Sequence, residues 1–262
     1  MPRFSANLSW LYQELPFIER FHQAKTDGFD AVECLFPYDV DKTLILSQLL
    51  FNKLDMVLIN APAGDWQQGD RGLAIYPQHM TTFRELFSTQ ALPTALALKC
   101  PFIHVMAGVL KATDDRRLAE QTFMANLEWA LDTVSTYPIT LLIEPISHHA
   151  IANYYLTHQQ QAISIIKQFK TDKLKLQLDL FHCQLTEGAL TKHIENALDL
   201  GLLGHVQIAG VPQRNEPDSG EVYYPYLFDL LDHYNYQGHI GCEYAPKTST
   251  TEGLKWFHPY RK

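Results

Sequence analysis

The sequence predicts an α/β protein that folds as one (β/α)8 barrel spanning residues 1–262. Short apolar runs alternate along the chain with longer stretches of helical periodicity, as in consecutive β–α units. No Pro-, Gly- or Ser-rich linker divides the chain into halves. The length of 262 residues also matches the roughly 250 residues typical of eight such units.

The apolar runs have the length and composition of buried parallel strands. The predicted strands are Phe4–Leu8, Ala31–Cys34, Asp55–Asn60, Phe102–Met106, Ile139–Glu144, Leu174–Asp179, His205–Ile208 and His239–Glu243. A doubly wound open sheet is the alternative fold. It is disfavoured because no G-x-G-x-x-G fingerprint follows the first strand.

Amphipathic stretches between the strands predict the helices. They are Pro16–Thr26, Val40–Asn52, Met80–Lys99, Asp114–Thr136, Thr157–Phe169, Leu185–Leu200, Tyr223–Tyr234 and Thr250–Trp256. Pro16 suits a first helical turn, and Asp114 and Thr157 are candidate N-caps. Gly28 and Gly201 follow helical patterns, where a positive φ ends a helix at little cost.

Composition excludes several functional classes. Lys and Arg number 21 against 29 Asp and Glu, and the net charge of −8 together with the absence of a basic run argues against a nucleic-acid partner. No segment resembles a signal peptide or a membrane helix, so we expect a soluble, cytoplasmic protein. The four cysteines form no C-x-x-C pair and predict buried thiols. The sequence is compatible with both a monomer and a homo-oligomer.

The polar residues that end successive strands are the first candidates for function, because barrel active sites gather at the carboxyl ends of the strands. Glu144 ends strand five, Asp179 ends strand six, Gln207 lies in strand seven and Glu243 ends strand eight. Converging carboxylates repel one another unless a positive charge lies among them. The four residues therefore predict a metal site. Their all-oxygen ligand set favours Mg²⁺ or Mn²⁺, and zinc and cobalt stay open.

Three further residues are candidates for binding substrate. His182 follows Asp179 by three positions, and Arg214 follows strand seven. Arg71 lies in the long connection 61–79, which exceeds a usual βα loop and is interpreted as a lid. Either arginine can hold a carboxylate through paired hydrogen bonds.

An ordered series of motifs resembles the hydroxypyruvate isomerase family of the xylose-isomerase-like barrels, which includes 2-oxo-tetronate isomerases. The motifs are RFSANLSWLY, AVECLFPYD, APAGDWQQGDRGLA, LLIEPIS, DLFHCQ, HVQIAGVPQRNEPDSGEVYY and GHIGCEYAPKTSTTEGLKW, and they extend over nearly the whole chain. The resemblance implies a divalent metal held by Glu144, Asp179, Gln207 and Glu243, with acid and base roles for Glu144 and Glu243. It also places His182 and Arg214 against the substrate.

The implied activity is a carbonyl shift in a small 2-oxo acid through an enediolate, interconverting hydroxypyruvate and 2-hydroxy-3-oxopropanoate (tartronate semialdehyde). Isomerisation of 2-oxo-tetronate is the nearest alternative and needs a slightly longer pocket. A polyol dehydratase, a sugar epimerase and a noncatalytic sugar-acid binding protein are more distant alternatives. An endonuclease-IV-like phosphodiesterase is disfavoured by the acidic charge.

Overall fold

Eight parallel strands close into a barrel in the computed structural model, which describes residues 1–261. Strands β1 to β8 are Arg3–Asn7, Ala31–Cys34, Asp55–Asn60, Phe102–His104, Thr140–Ile143, Leu174–Asp179, Leu203–Ile208 and His239–Cys242. Each strand pairs with the next, and β8 pairs with β1, where Ser5 lies opposite Gly241. The (β/α)8 barrel predicted from the sequence is confirmed.

Helices surround the barrel and follow the strands in the alternating order that the sequence predicts. Helices α1 to α10 are Phe17–Thr26, Lys42–Asn52, Met80–Leu86, Leu92–Leu98, Arg116–Val134, Gln159–Phe169, Leu180–Thr186, Leu190–Asp199, Tyr224–His233 and Thr250–Gly253. Short 3₁₀ segments lie at Pro37–Asp39, Pro77–His79 and Leu254–Tyr260. Within residues 1–261, none of the helices has the length and apolar character that crossing a membrane requires.

Two predicted helices are interrupted. The stretch 80–99 contains a π-helical turn at Phe87–Ala91, which ends two residues before Pro93, a residue with no N–H to continue the α-helical ladder. The stretch 185–200 is two helices joined by Gly188 and Ala189, which both have positive φ. The first of the two begins already at Leu180, because the preceding Asp179 side chain accepts a hydrogen bond from the Phe181 N–H.

Two predicted N-caps are wrong by one residue. Asp115, not Asp114, caps α5, and its carboxylate accepts from the N–H groups of Arg117 and Leu118. Asp114 accepts instead from the Lys111 N–H in the preceding turn. His158, not Thr157, occupies the N-cap of α6. The expected positive φ of Gly28 and Gly201 is confirmed.

An aromatic cluster packs beneath the amino ends of the strands. Phe4 of β1 makes edge-to-face contacts with Phe228 and Phe257 at centroid distances of 5.1 and 5.5 Å, and Phe29 stacks on Phe257 at 4.5 Å. The C-terminal 3₁₀ segment thereby covers this end of the barrel. The polar strand ends lie at the opposite end.

The observed capping of α5 predicts that substituting Asp115 lowers the free energy of unfolding more than substituting Asp114. Asp115→Ala is expected to lower the free energy of unfolding by about 1 kcal/mol, because two N–H groups of the first helical turn lose their acceptor. Asp114→Ala is expected to cost less, since Asp114 bonds to a turn outside the helix. Urea denaturation of the two variants measures the difference, and a larger loss for Asp114→Ala would contradict the assignment.

Candidate active site at the carboxyl end of the barrel

A cavity of about 240 Å³ opens at the carboxyl ends of the strands. Five of the seven residues that the sequence singled out line it, namely Arg71, Glu144, His182, Arg214 and Glu243. The other two, Asp179 and Gln207, are buried in β6 and β7, at positions paired in the sheet. The closed parallel sheet thus brings together residues that are far apart in sequence.

Three carboxyl groups, Glu144, Asp179 and Glu243, form what we call the carboxyl cluster. Glu144 and Glu243 each directly follow a strand, whereas Asp179 ends β6 and caps α7. Burial raises the pKa of Glu144, and the nearby Asp179 and Glu243 raise it further. Burial also raises the pKa of Asp179, and it raises that of Glu243 to about 8. The cluster therefore holds protons that exposed carboxyl groups release.

Arg214 supplies positive charge beside this cluster. Its Nη2 lies 2.6 Å from Glu243 Oε1 and 3.7 Å from Asp179 Oδ2. The guanidinium also lies over the rings of Trp10, at 4.3 Å, and Phe181, at 5.0 Å. Arg214 is therefore committed to neutralising buried carboxylates.

The donor atoms fit a divalent cation. Single atoms of Glu144, Asp179 and His182 lie within 4.8 Å of one another. Asp179 Oδ2 is buried and has no hydrogen-bond partner among residues 1–261, as expected of an oxygen that serves as a metal ligand. His182 Nε2 lies 3.6 Å from that oxygen, so the structure places His182 with the carboxyl cluster as well as on the cavity wall.

The amide of Gln207 makes hydrogen bonds in three directions. Its Nε2 donates to Glu33 Oε1 at 2.7 Å and to Glu243 Oε2 at 2.6 Å. Its Oε1 accepts from Gln177 Nε2 at 2.6 Å. Gln207 thus presents its NH₂ group to Glu243 and its carbonyl oxygen to Gln177, and its predicted role as a metal ligand stays a prediction.

Glu33 is a buried residue that the sequence analysis missed. Every residue of β2 is buried, and the Glu33 carboxylate accepts from Ser5 and Asn7 as well as from Gln207. Its pKa is lowered despite burial, because His205 and these donors stabilise the charged form. The signal was available in the sequence, since a charged residue inside an apolar strand is rarely buried without a partner. A search confined to the strand ends passes over it.

A second group of buried polar atoms belongs to residues that line the cavity and makes no hydrogen bond within residues 1–261, although His104 Nδ1 lies 3.5 Å from Glu144 Oε2. His104 and Asn60, which are paired across β3 and β4, both line the cavity. Neither ring nitrogen of His104 and not the Oδ1 atom of Asn60 has a hydrogen-bond partner within the described chain. Burial lowers the pKa of His104 to about 3, so its imidazole is neutral. A neutral imidazole has one donor and one acceptor nitrogen, and the amide oxygen of Asn60 accepts, so these side chains can bind carbonyl and hydroxyl groups of a ligand.

The long connection 61–79 covers one side of the cavity. Arg71 lies 3.8 Å from the Trp66 ring, and both residues line the cavity. Trp66 in turn packs on Phe36 at 5.3 Å. Gly72 allows the loop to approach the barrel, because its φ is +120° and a Cβ there would lie 2.5 Å from the Met106 carbonyl oxygen.

A closed (β/α)8 barrel with a buried polar cavity at its carboxyl end is the architecture of a barrel enzyme. The chain matches the sequence profile of the family described as Xylose isomerase-like TIM barrel over residues 21–260. The chain therefore belongs to the xylose isomerase-like TIM barrel family.

Close relatives cover the full chain. The 2-oxo-tetronate isomerase of Cupriavidus necator is 43% identical over 99% of both chains, and the hydroxypyruvate isomerase of Escherichia coli is 41% identical over 100% of both. A crystal structure described as AP endonuclease, family 2, from Brucella melitensis is 44% identical, with a TM-score of 0.96 and complete coverage of both chains. The resemblance inferred from the sequence motifs is confirmed.

The carboxyl cluster predicts how stability depends on pH in the absence of metal. Above pH 7 the unfolded chain has released protons that the folded cluster retains, so the free energy of unfolding falls as pH rises from 7 towards the pKa of Glu243, about 8. His104, His182 and His239 have lowered pKa values and are neutral in the folded protein. In the unfolded chain about a quarter of each is protonated at pH 7 and almost none at pH 8, so these histidines oppose the slope near pH 7 and not near pH 8. Thermal denaturation in EDTA at several pH values measures this slope.

The same series of thermal denaturations is repeated with a variant and with added metal. Glu243→Gln removes one of the raised pKa values and is expected to flatten the slope. Mn²⁺ is expected to stabilise the protein more at pH 8 than at pH 7, because metal ligands must be deprotonated. A melting temperature in EDTA that stays level or rises from pH 7 to 8 would contradict the assigned shifts.

Proposed function

We propose that the protein is a metal-dependent isomerase of small 2-oxo acids that interconverts hydroxypyruvate and 2-hydroxy-3-oxopropanoate. The observation that carries the proposal is the placement of two buried carboxyl groups, Glu144 and Glu243, on one cavity with a guanidinium, Arg71, that pairs with no carboxylate among residues 1–261. This arrangement offers proton transfer and recognition of an acid in one site. The names of the two full-length isomerase relatives support the same reaction class.

Glu144 and Glu243 are assigned to the proton transfers. They follow β5 and β8, which are three positions apart in the ring of strands. In the direction from hydroxypyruvate, one carboxylate removes a proton from C3 and a carboxyl group returns a proton to C2 of the enediolate. The proton of the C3 hydroxyl moves to the C2 oxygen, which leaves the aldehyde at C3 and the hydroxyl at C2. General acid and base catalysis of this kind contributes about 10²- to 10⁴-fold.

A divalent cation, with Mg²⁺ or Mn²⁺ preferred, would be held by Glu144, Asp179, Gln207 and Glu243, with His182 beside them. Such an ion would supply Lewis-acid chemistry, which makes the C–H bond next to the substrate carbonyl more acidic. Arg214 favours proton removal whether or not a metal is bound, because its contact with Glu243 stabilises the carboxylate form of that side chain. Neutral His104 also lines the cavity, and its single N–H can donate to a substrate oxygen.

Arg71 is assigned to the substrate carboxylate in preference to Arg214. Arg214 already contacts Glu243 and Asp179. Within residues 1–261, the Nη1 of Arg71 donates only to the carbonyl oxygens of Trp66 and Asp70. The remaining guanidinium donors of Arg71 therefore suit a planar carboxylate.

The cavity also admits the four-carbon alternative. Its volume is about 240 Å³. Hydroxypyruvate has seven non-hydrogen atoms and 2-oxo-tetronate has nine, so size does not discriminate sharply between them. 2-Oxo-tetronate is therefore the second candidate substrate, supported by the name of the Cupriavidus necator relative.

Phosphodiester cleavage is the contrasting function raised by the description of the Brucella melitensis structure. The net charge of −8 opposes binding to a nucleic-acid backbone. We therefore favour a small acid over a polynucleotide.

Proton NMR in D₂O tests the reaction with each of the two acids. Metal-loaded wild-type protein is expected to interconvert ketone and aldehyde with deuterium entering the product, and the faster substrate identifies the preferred acid. Glu144→Gln and Glu243→Gln should each lower turnover by about 10²-fold or more, because each removes a proton-transfer group. Chelation should abolish turnover. Wild-type protein that neither interconverts nor exchanges either acid would overturn the proposal.

Exchange of Arg71 tests the carboxylate assignment. Arg71→Met should lower kcat/KM for hydroxypyruvate by about 10- to 150-fold, the equivalent of a charged hydrogen bond of ~1.5–3 kcal/mol. Dihydroxyacetone, which has a hydroxymethyl group in place of the carboxylate, should be affected much less. Arg214→Met is the matched comparison and should impair both substrates, since Arg214 acts on Glu243. Equal losses on both substrates for Arg71→Met would contradict the assignment.

A further inference from the structure

Glu33 lies beneath the cavity and does not line it. Its side chain is fully buried inside β2. Gly241 of β8 makes room for it, because a Cβ at that position would lie 2.5 Å from both carboxylate oxygens. The barrel interior is therefore shaped around this carboxylate.

One oxygen of Glu33 is anchored on the side away from Glu243. Oε2 accepts from Ser5 Oγ at 2.9 Å and lies 2.8 Å from His205 Nε2. These two contacts, from β1 and β7, hold the carboxylate in one orientation.

The other oxygen shares its two donors with Glu243. Asn7 Nδ2 donates to Glu33 Oε1 at 3.1 Å and to Glu243 Oε2 at 2.9 Å. Gln207 Nε2 makes the same pair of bonds at 2.7 and 2.6 Å. An amide NH₂ group has two hydrogens, so both amides use both hydrogens to bridge the two carboxylates.

The oxygen ends of the two amides are fixed as well. Asn7 Oδ1 accepts from the Ser9 N–H at 3.0 Å, and Gln207 Oε1 accepts from Gln177 at 2.6 Å. Glu243 Oε2 is thus occupied by two amide donors, and Oε1 accepts from Arg214, which lines the cavity together with Glu243.

We propose that Glu33 is a positioning residue, which acts through the amides of Asn7 and Gln207 to determine which oxygen of Glu243 faces the substrate. An ionised Glu33 only accepts hydrogen bonds, so it orients both NH₂ groups towards the two carboxylates. Without this acceptor, each amide keeps one hydrogen without a partner and gains freedom to turn. The kinetic part of this inference rests on the proposed isomerase function.

A series at position 33 tests the inference. Glu33→Met removes both acceptor oxygens at similar length and should lower kcat per folded molecule by about 10- to 100-fold, with KM changed by less than about threefold. Glu33→Gln retains one carbonyl acceptor and should recover part of the loss. Ser5→Ala is the matched control, because it removes a donor from the anchored oxygen and leaves both bridging amides intact. Folded fraction is measured by thermal denaturation of each protein.

A second measurement does not depend on activity. The ¹⁵N-labelled side-chain amides of Asn7 and Gln207, assigned by single substitutions, should shift towards the positions of solvent-exposed amides in Glu33→Met and stay close to wild type in Ser5→Ala. If Glu33→Met does not fold, Gly241→Ala displaces the carboxylate without removing its charge and should shift the same resonances.

The outcomes separate this inference from the proposed function. Amide resonances that stay unchanged in the position-33 variant or in Gly241→Ala overturn the positioning role, whatever the activity. Shifted resonances with an unchanged kcat per folded molecule also overturn it. Wild-type protein that turns over neither acid refutes the isomerase proposal, while the amide resonances still report on whether Glu33 orients its neighbours.

Discussion

The burial of several carboxyl groups at one end of the barrel is the constraint on which the site depends. An ionised carboxylate removed from water costs several kcal/mol unless charges and hydrogen bonds replace its hydration. Arg214 compensates Glu243 from the cavity side, and His205 compensates Glu33 from within the barrel. Asp179 Oδ2 makes no hydrogen bond in the described chain, although Arg214 lies 3.7 Å from it, and this oxygen belongs to the donor set that fits a cation.

The closed barrel makes this concentration of charge feasible. Parallel strands in register place consecutive strand ends around one cavity, and closure through β1 and β8 brings Asn7 against Glu243, although the two residues are 236 positions apart. Rigid strands hold these side chains more firmly than loops would. The aromatic cluster at the opposite end supplies apolar burial away from the carboxyl cluster.

Local patterns predicted most of the fold. Apolar run lengths located all eight strands, with ends displaced by at most two residues, because strand burial is visible in the sequence itself. Helix boundaries were less predictable. Adjacent aspartates at 114 and 115 have the same capping chemistry, and only the path of the turn at Lys111 decides which of them caps α5.

The sequence by itself determined the fold class and the strand-end residues Glu144, Asp179 and Glu243, since strand ends follow from local hydrophobicity and parallel sheets gather them at one edge. Tertiary structure alone decided the environments of Arg71 and Arg214, which differ in their partners and not in their chemistry. It also decided the place of Glu33, whose partners come from β1 and β7. Such contacts depend on barrel closure and strand register, which no local pattern encodes.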